Sequence, residues 1–350
     1  MIPNKGGISV CTNVPSSGTV CSYYPNNILI SNIRPYFKKI WLADRGGTCS
    51  NDVLVLKTNK NVCMPEFLYY LLSNDAFFDY ITKTSRGTKM PRGDKDAIMN
   101  YSFNLPDLKN QNEIVRLLSC IDSSIKINKE INDYLEAICR NTYNNLFSEC
   151  DYSGKLSDLG EIIGGSTPSK AHPEYYSENG IAWLTPKDLS INKNKFIQHG
   201  ENDISNDGLK NSSAKIMPRG TVLFSSRAPI GYIAIASGEV TTNQGFKSIV
   251  PRKEVGSAFI YHFLKDNLDS IKLQASGSTF MEVSGSLMKN IEAIIPDPIL
   301  IKKFNSVVDL LIKLQESLEL ENSLFHSLRD QLLPKLLSGE IDVSKLDLGS

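Results

Sequence analysis

Apolar residues return at alternating steps of three and four along two stretches of this chain. The first stripe runs Ile114, Leu118, Ile121, Ile125, Asn128, Ile131, Leu135 and Ile138, with one polar member. The second runs Phe304, Val308, Leu311, Leu314, Leu318, Phe325, Leu328 and Leu332. That spacing draws a narrow seam along one side of an α-helix, as in a coiled coil. Each stretch predicts a helix of roughly 35–40 residues, about 55–60 Å long at 1.5 Å per residue. A seam this narrow has to be covered, and the economical solution is that the two helices pack antiparallel on each other. Asn132 and Asn322 stand at equivalent positions near the seam, where a polar side chain fixes register at a cost in stability. Ahead of each helix the pattern changes to short runs of β character, at 28–30 and 53–56, then at 222–225 and 232–236. A short amphipathic helix follows in each case, at 65–72 and 257–264.

The likeness of the two halves extends to individual residues. Met217-Pro218-Arg219-Gly220-Thr221-Val222-Leu223-Phe224-Ser225-Ser226-Arg227 aligns with Tyr24-Pro25-Asn26-Asn27-Ile28-Leu29-Ile30-Ser31-Asn32-Ile33-Arg34 at an offset of about 193. Further on, Phe259-Ile260-Tyr261-His262-Phe263-Leu264 answers Phe67-Leu68-Tyr69-Tyr70-Leu71-Leu72, and Ile295-Pro296-Asp297 answers Leu105-Pro106-Asp107. An offset that drifts so little marks a tandem duplication. The expected class is α+β: two mixed α/β domains at 1–105 and 151–297, separated by long helices at 106–150 and 298–350. Copy two opens near Lys155, which projects the start of copy one to about residue −38. About forty residues of the first copy's opening are therefore expected to be absent, with gene truncation or recombination favoured over a misassigned start or a shorter opening.

Composition narrows the function. The 350 residues carry 38 basic and 38 acidic side chains, a formal net charge of zero, which excludes a uniformly basic protein that coats phosphate by its overall field. Residues 1–105 hold 12 basic and 7 acidic groups, so the mild excess lies in the first globular part. No apolar run approaches the ~18 residues of a membrane span, and the chain is expected to be cytoplasmic without membrane contact. All seven cysteines fall in the first 150 residues with no CxxC pair, so reduced, mostly buried thiols are expected and a metal site is not. There is no P-loop, no GxGxxG after a strand and no nucleophile elbow. Gly164-Gly165-Ser166-Thr167-Pro168 lacks the GK[ST] ending and reads as a tight turn.

The second copy resembles the specificity (S) subunit of type I restriction-modification enzymes. The phrases that carry the resemblance are Leu156-Ser157-Asp158-Leu159-Gly160-Glu161-Ile162-Ile163-Gly164-Gly165-Ser166-Thr167-Pro168-Ser169, then Gly180-Ile181-Ala182-Trp183-Leu184-Thr185-Pro186-Lys187-Asp188-Leu189. Gly220 to Gly231 with the Asn243-Gln244 pair follows, and the ending is Leu328-Arg329-Asp330-Gln331-Leu332-Leu333-Pro334-Lys335-Leu336-Leu337-Ser338-Gly339-Glu340-Ile341. Their order and spacing run through about 185 residues, and the duplication extends the resemblance to nearly the whole chain. It implies a non-catalytic subunit with two target recognition domains, each reading half of a split site in double-stranded DNA. Its helices would act as a ruler and dock methyltransferase subunits, two in number, with restriction subunits joining the full complex. S-adenosylmethionine, ATP and Mg would sit on those partners, leaving this chain without a cofactor. A type IIB-like S subunit and a coiled-coil scaffold with no DNA role are the alternatives.

Base-reading residues do not carry over from such a resemblance, so the candidates are polar and basic groups in suitable loops. Arg34 and Arg227 align across the repeat, each after a strand-like run, where a guanidinium can fork onto a guanine edge or clamp a phosphate. Arg86, Lys89 and Arg92 stand in a Gly-containing basic loop suited to a backbone phosphate; Ser276 and Ser278 mark its neutral counterpart. Thr185, Lys187, Lys193, Lys195 and Arg219 complete the set. Ile114, Leu118, Ile121, Ile125, Leu135, Val308, Leu311, Leu318, Phe325 and Leu328 are the expected seam and docking residues.

Overall fold

The structure is a computed structural model that describes residues 1–9, 19–277 and 281–343. The chain forms two compact units, Met1–Lys126 with Asn322–Ser350, and Ile127–Glu321. The long helices are Leu108–Phe147 and Pro298–Ser338. Each of them contributes one portion to each unit, a division that linear domain boundaries do not make.

In the first unit a three-stranded antiparallel sheet has Ile28–Ser31 at its centre, flanked by Ile40–Leu42 and Val53–Leu56. A ribbon of Val20–Tyr23 with Gly47–Ser50 stands apart from it. Ile28, Ile30 and Ile40 are fully buried with Phe67, Phe77 and Phe78 of two short helices, Pro65–Leu72 and Asp75–Lys83. The first has proline in its opening turn, and in the second the Asn74 side chain accepts from the Ala76 N–H, so the orphan donors at both starts are dealt with locally. Ile114 and Leu118 of the first long helix close this core together with Leu333 and Leu336 of the second.

The second unit is built on the same middle. Val222–Ser226 lies between Ile230–Ala236 and Lys247–Pro251, extended by Gly160–Gly164 and Phe196–Ile197 into five strands. Ile28 pairs with Leu42 and Leu56 just as Val222 pairs with Ile235 and Ile249. The strands therefore align at an offset of 194, one more than the sequence alignment had. A smaller four-stranded sheet contains Ile181–Leu184, where Trp183 is buried and its Nε1 donates to the Ser166 carbonyl at 2.9 Å. Gly165 packs against the backbone of Thr242 and Asn243 so closely that no Cβ fits; the Gly-Gly opening is a packing turn.

Within each unit the long helices run antiparallel. Early residues of one helix meet late residues of the other: Leu118 shares a core with Leu333, and Phe147 packs edge-on to Phe304 at 5.6 Å. Ile114, Leu118, Ile121, Leu135 and Val308 are buried, while Ile125, Leu311, Leu318 and Phe325 are half-buried. The seam is corrected at Leu328, and likewise at Ile131, Ile138 and Leu314, all of which are exposed. From Leu135 the buried face continues as Cys139, Tyr143 and Phe147, a ridge of steps of four. The helix covers a domain core there as well as a partner helix, so its contact ridge departs from the 3.5-residue period. The cysteines need correcting too. Of the six described, only Cys139 is buried; Cys21 and Cys120 are exposed and the others half-buried. Among the described residues no helix is long and apolar enough to cross a membrane.

Candidate nucleic-acid interface

Both units close a loop in the same way. Arg86 and Arg92 exchange backbone hydrogen bonds of 2.8 and 2.9 Å, and Ser276 and Glu282 exchange bonds of 3.1 and 2.9 Å. The next residue ties each loop to the central hairpin, Gly93 N–H to the Asn32 carbonyl and Val283 N–H to that of Ser226, both at 3.0 Å. One residue further on, Asp94 and Ser284 cap the following helices. The backbone frame is thus duplicated, and what differs is the charge set into it. Arg92 pairs with Asp52 at 3.1 Å, whereas at the equivalent position Glu282 takes Lys247 at 3.2 Å and Arg227 at 3.7 Å. In the first unit Arg86 pairs with Asp94 yet leaves most of its side chain, 84%, in solvent. Arg86 contributes to holding the Asp94 carboxyl below the ordinary range, after the Ala97 N–H, which does most. Lys89 beside it is exposed and has no ion pair among the described residues. Ser276 is exposed at the loop closure, and Ser278 lies outside the described residues.

The pairing of Arg34 with Arg227 is overturned by the backbone. Since Asn32 and Ser226 occupy the same place, Arg34-Pro35 corresponds to Ala228-Pro229. Arg34 and Ala228 share a left-handed φ, 50° and 48°, and only copy one puts an arginine there. The Arg34 side chain is half-buried, with a buried Nε that has no hydrogen-bond partner among the described residues. Arg227 follows the strand one position earlier and remains half-exposed beside Glu282.

The remaining candidates divide. Lys193 is exposed and unpaired among the described residues. Lys187 is exposed and pairs with Glu201. Thr185 is a helix cap, its N–H and hydroxyl both donating to Asp188 Oδ2 at 2.7 and 2.6 Å, and is not available as a reader. Arg219 is exposed but engaged, donating to the Ser237 carbonyl and pairing with Glu316 of the second long helix. Lys195 is the clearest correction. It is buried, and its Nζ donates to Glu136 at 2.8 Å and Gln315 at 3.0 Å while standing 4.5 Å above the Tyr261 ring. The N–H groups of Lys195 and Phe196 both donate to the Glu319 carboxylate at 3.0 Å. Burial pushes Glu136 up, but Lys195 overrides it and the carboxyl ends below its ordinary range; Glu319, where burial dominates, ends above. Sequence reasoning missed this cluster because its acids and its lysine lie far apart along the chain.

Two apolar stripes stay exposed on the helical portions of the second unit. One is Ile127, Ile131, Tyr134 and Ile138; the other is Val307, Leu310 and Leu314. Side chains at these steps line one face of a helix, and Tyr134 is 72% exposed. Contiguous apolar faces of this kind mark protein contact surfaces.

Comparison with known proteins agrees with this architecture. A family profile described as the type I restriction modification DNA specificity domain matches residues 19–137 and 152–322. The chain is 39% identical over 180 residues to the type I restriction enzyme MjaIX specificity subunit of Methanocaldococcus jannaschii, covering 51% of this chain and 41% of that protein. It is 27% identical over 400 aligned positions to the HindI specificity subunit of Haemophilus influenzae, covering 90% of this chain and 86% of that one. The crystal structure of the S subunit of a type I restriction-modification system from M. genitalium has a similar fold. Its TM-score is 0.57 at 17% identity, over 90% of this chain and 83% of that one.

Proposed function

This chain belongs to the type I restriction-modification DNA specificity family, and from that premise we propose that it selects the target of such a system by reading double-stranded DNA. Each compact unit contributes one recognition surface, so that the target has two parts. The observation that carries this reading is the duplicated loop frame. Identical backbone closures at 86–92 and 276–282 hold different side chains, Arg86 and Arg92 against Ser276 and Glu282. A frame that stays while its side chains change is what two different half-sites need, because base edges are told apart by donor and acceptor patterns.

The chain acts in the cytoplasm as a non-catalytic subunit. Methyltransferase subunits, two by the repeat, dock on the exposed stripes of the long helices, and restriction subunits join the larger assembly. S-adenosylmethionine, ATP and Mg belong to those partners. The zero net charge fits a division of labour in which partners supply much of the phosphate attraction and this chain supplies base choice.

Long-read mapping of methylated adenines in cells with and without the gene tests the proposal. A two-part motif that disappears with the gene is expected. Arg227→Ala should relax one position of that motif, since a bidentate arginine contact discriminates by ~1–3 kcal/mol. A genome whose methylation is unchanged on deletion would falsify the reading.

A further inference from the structure

Cys21 and Cys49 face each other as direct cross-strand partners in the antiparallel ribbon of the first unit. Side chains paired in this way leave the same face, with Cα atoms about 4.5–5.5 Å apart. A disulfide bridges Cα separations of roughly 4.4–6.8 Å, and the spacing of a cross-strand pair falls inside that range. Neighbouring pairs pin the register on either side. Tyr23 lies over Gly47, where an added Cβ would come 2.5 Å from the phenol oxygen. On the other side Asn51 accepts from the Cys21 thiol at 3.1 Å and donates to the Thr19 hydroxyl at 3.0 Å. Cys21 is exposed and Cys49 half-buried, so a solute reaches the pair through Cys21. Burial pushes the Cys49 thiol up, with Cys21 adding to the effect. That suits Cys49 to the second step of an oxidation better than to the first.

We propose that Cys21 and Cys49 form an oxidisable dithiol site, converted reversibly by a hydroperoxide into a disulfide within the first unit. The Cys21 thiolate attacks the peroxide O–O bond; with hydrogen peroxide and one proton it becomes the sulfenic acid and releases water. The Cys49 thiol then displaces the sulfenic hydroxyl as a second water, forming the S–S bond. The dithiol gives up two electrons and the peroxide takes both. Other described cysteines lack such a geometry: none has another cysteine as its register partner.

Position gives the oxidation a consequence. Forming the bond takes the Cys21 thiol from Asn51, whose neighbour Asp52 pairs with Arg92 at 3.1 Å and accepts the Asn32 N–H on its carbonyl at 2.8 Å. The redox state of the ribbon therefore reaches the base of the loop assigned to DNA, a coupling that rests on the DNA-binding reading.

The test exposes the full chain with its partner subunits to hydrogen peroxide, blocks remaining thiols with N-ethylmaleimide and identifies linked peptides by mass spectrometry. A dominant Cys21–Cys49 link is expected, removed by dithiothreitol and absent from Cys21→Ser and Cys49→Ser. Full alkylation of both thiols, or linkage of Cys21 to Cys11 or Cys120 instead, overturns the site. Duplex affinity should fall about threefold on oxidation, the size of one disturbed exposed ion pair, and recover on reduction. Unchanged affinity in a sample with the link demonstrated overturns the coupling and leaves the site standing. A failure of the DNA-binding reading looks different, because then the reduced protein does not bind duplex at all.

Discussion

Arg86 and Lys89 carry their charges into solvent from a loop whose backbone is already closed on itself. Little ordering remains for that loop to undergo when a phosphate arrives, and each lysine or arginine that meets one releases about one counterion. Arg86→Ala and Lys89→Ala should each weaken binding to every duplex alike and lower the slope of log affinity against log salt by about one, measured by salt titration. Lys195 works in the opposite sense. Its ammonium satisfies Glu136 and Gln315 in a buried setting, so Lys195→Met strands a carboxylate. A loss of about 2–4 kcal/mol is expected in denaturant unfolding. Lys187 and Lys193, nearby in sequence and exposed, should show less than ~0.5 kcal/mol when changed to Ala. In sequence the three lysines read alike, and only the fold separates the buried one.

At the scale of elements the long helices were legible and their detailed contacts were not. Asn132 donates to the Gln315 carbonyl at 3.4 Å and Asn322 to that of Ile125 at 3.3 Å. These four positions correspond at an offset of 190, so the duplication preserved a paired polar contact, one in each unit. Both asparagines leave Oδ1 buried without a partner among the described residues. An orphaned acceptor of this kind costs about 1–3 kcal/mol, so Asn322→Leu should raise the melting temperature of its unit and should loosen helix register as it does so. Thermal unfolding reads the first effect; cysteine cross-linking across the helix pair reads the second. A lower melting temperature would show that the asparagine stabilises its unit. The exposed Ile131 and Ile138 explain why the stripe could not be sorted in advance. A helix that covers a domain core and also offers a face to partners has apolar residues on more than one side.

For the whole molecule, separate cores predict separate behaviour. His262 is buried at 1% exposure in the second unit, with Lys195, Glu136, Lys265 and Arg140 acting on it. Burial foremost, then the Lys195 charge, pushes it from 6.5 down to about 4. Its folded form resists protonation more than its unfolded form, so the stabilisation is full above pH ~6.5 and is lost as pH falls toward 4. A shift of this size is worth roughly 3 kcal/mol. Glu136 acts in the same direction below the ordinary carboxylate range, since its folded value is depressed. The first unit places Tyr70, hydrogen-bonded to Asp122 at 2.9 Å, at the position aligned with His262. The two tryptophans, Trp41 and Trp183, fall one in each unit. Fluorescence of Trp41→Phe and Trp183→Phe variants should therefore show the second unit losing stability between pH 6.5 and 4. His326, also lowered by burial, gives the first unit a loss of the same sign, and His262→Gln should flatten the slope of the second unit alone.

By itself the sequence determined the duplication, the α+β class, the two long helices and the family. All of these are written in local periodicity and ordered phrases, which survive in one dimension. Tertiary structure decided which lysine is buried and that Arg34 matches Ala228. It also decided that one loop frame carries Arg92 in one copy and Glu282 in the other, and that two cysteines 28 positions apart share a rung of one ribbon. These depend on strand register and on contacts between distant segments. A one-residue difference in register, silent in a sequence alignment, changes which side chain occupies each place.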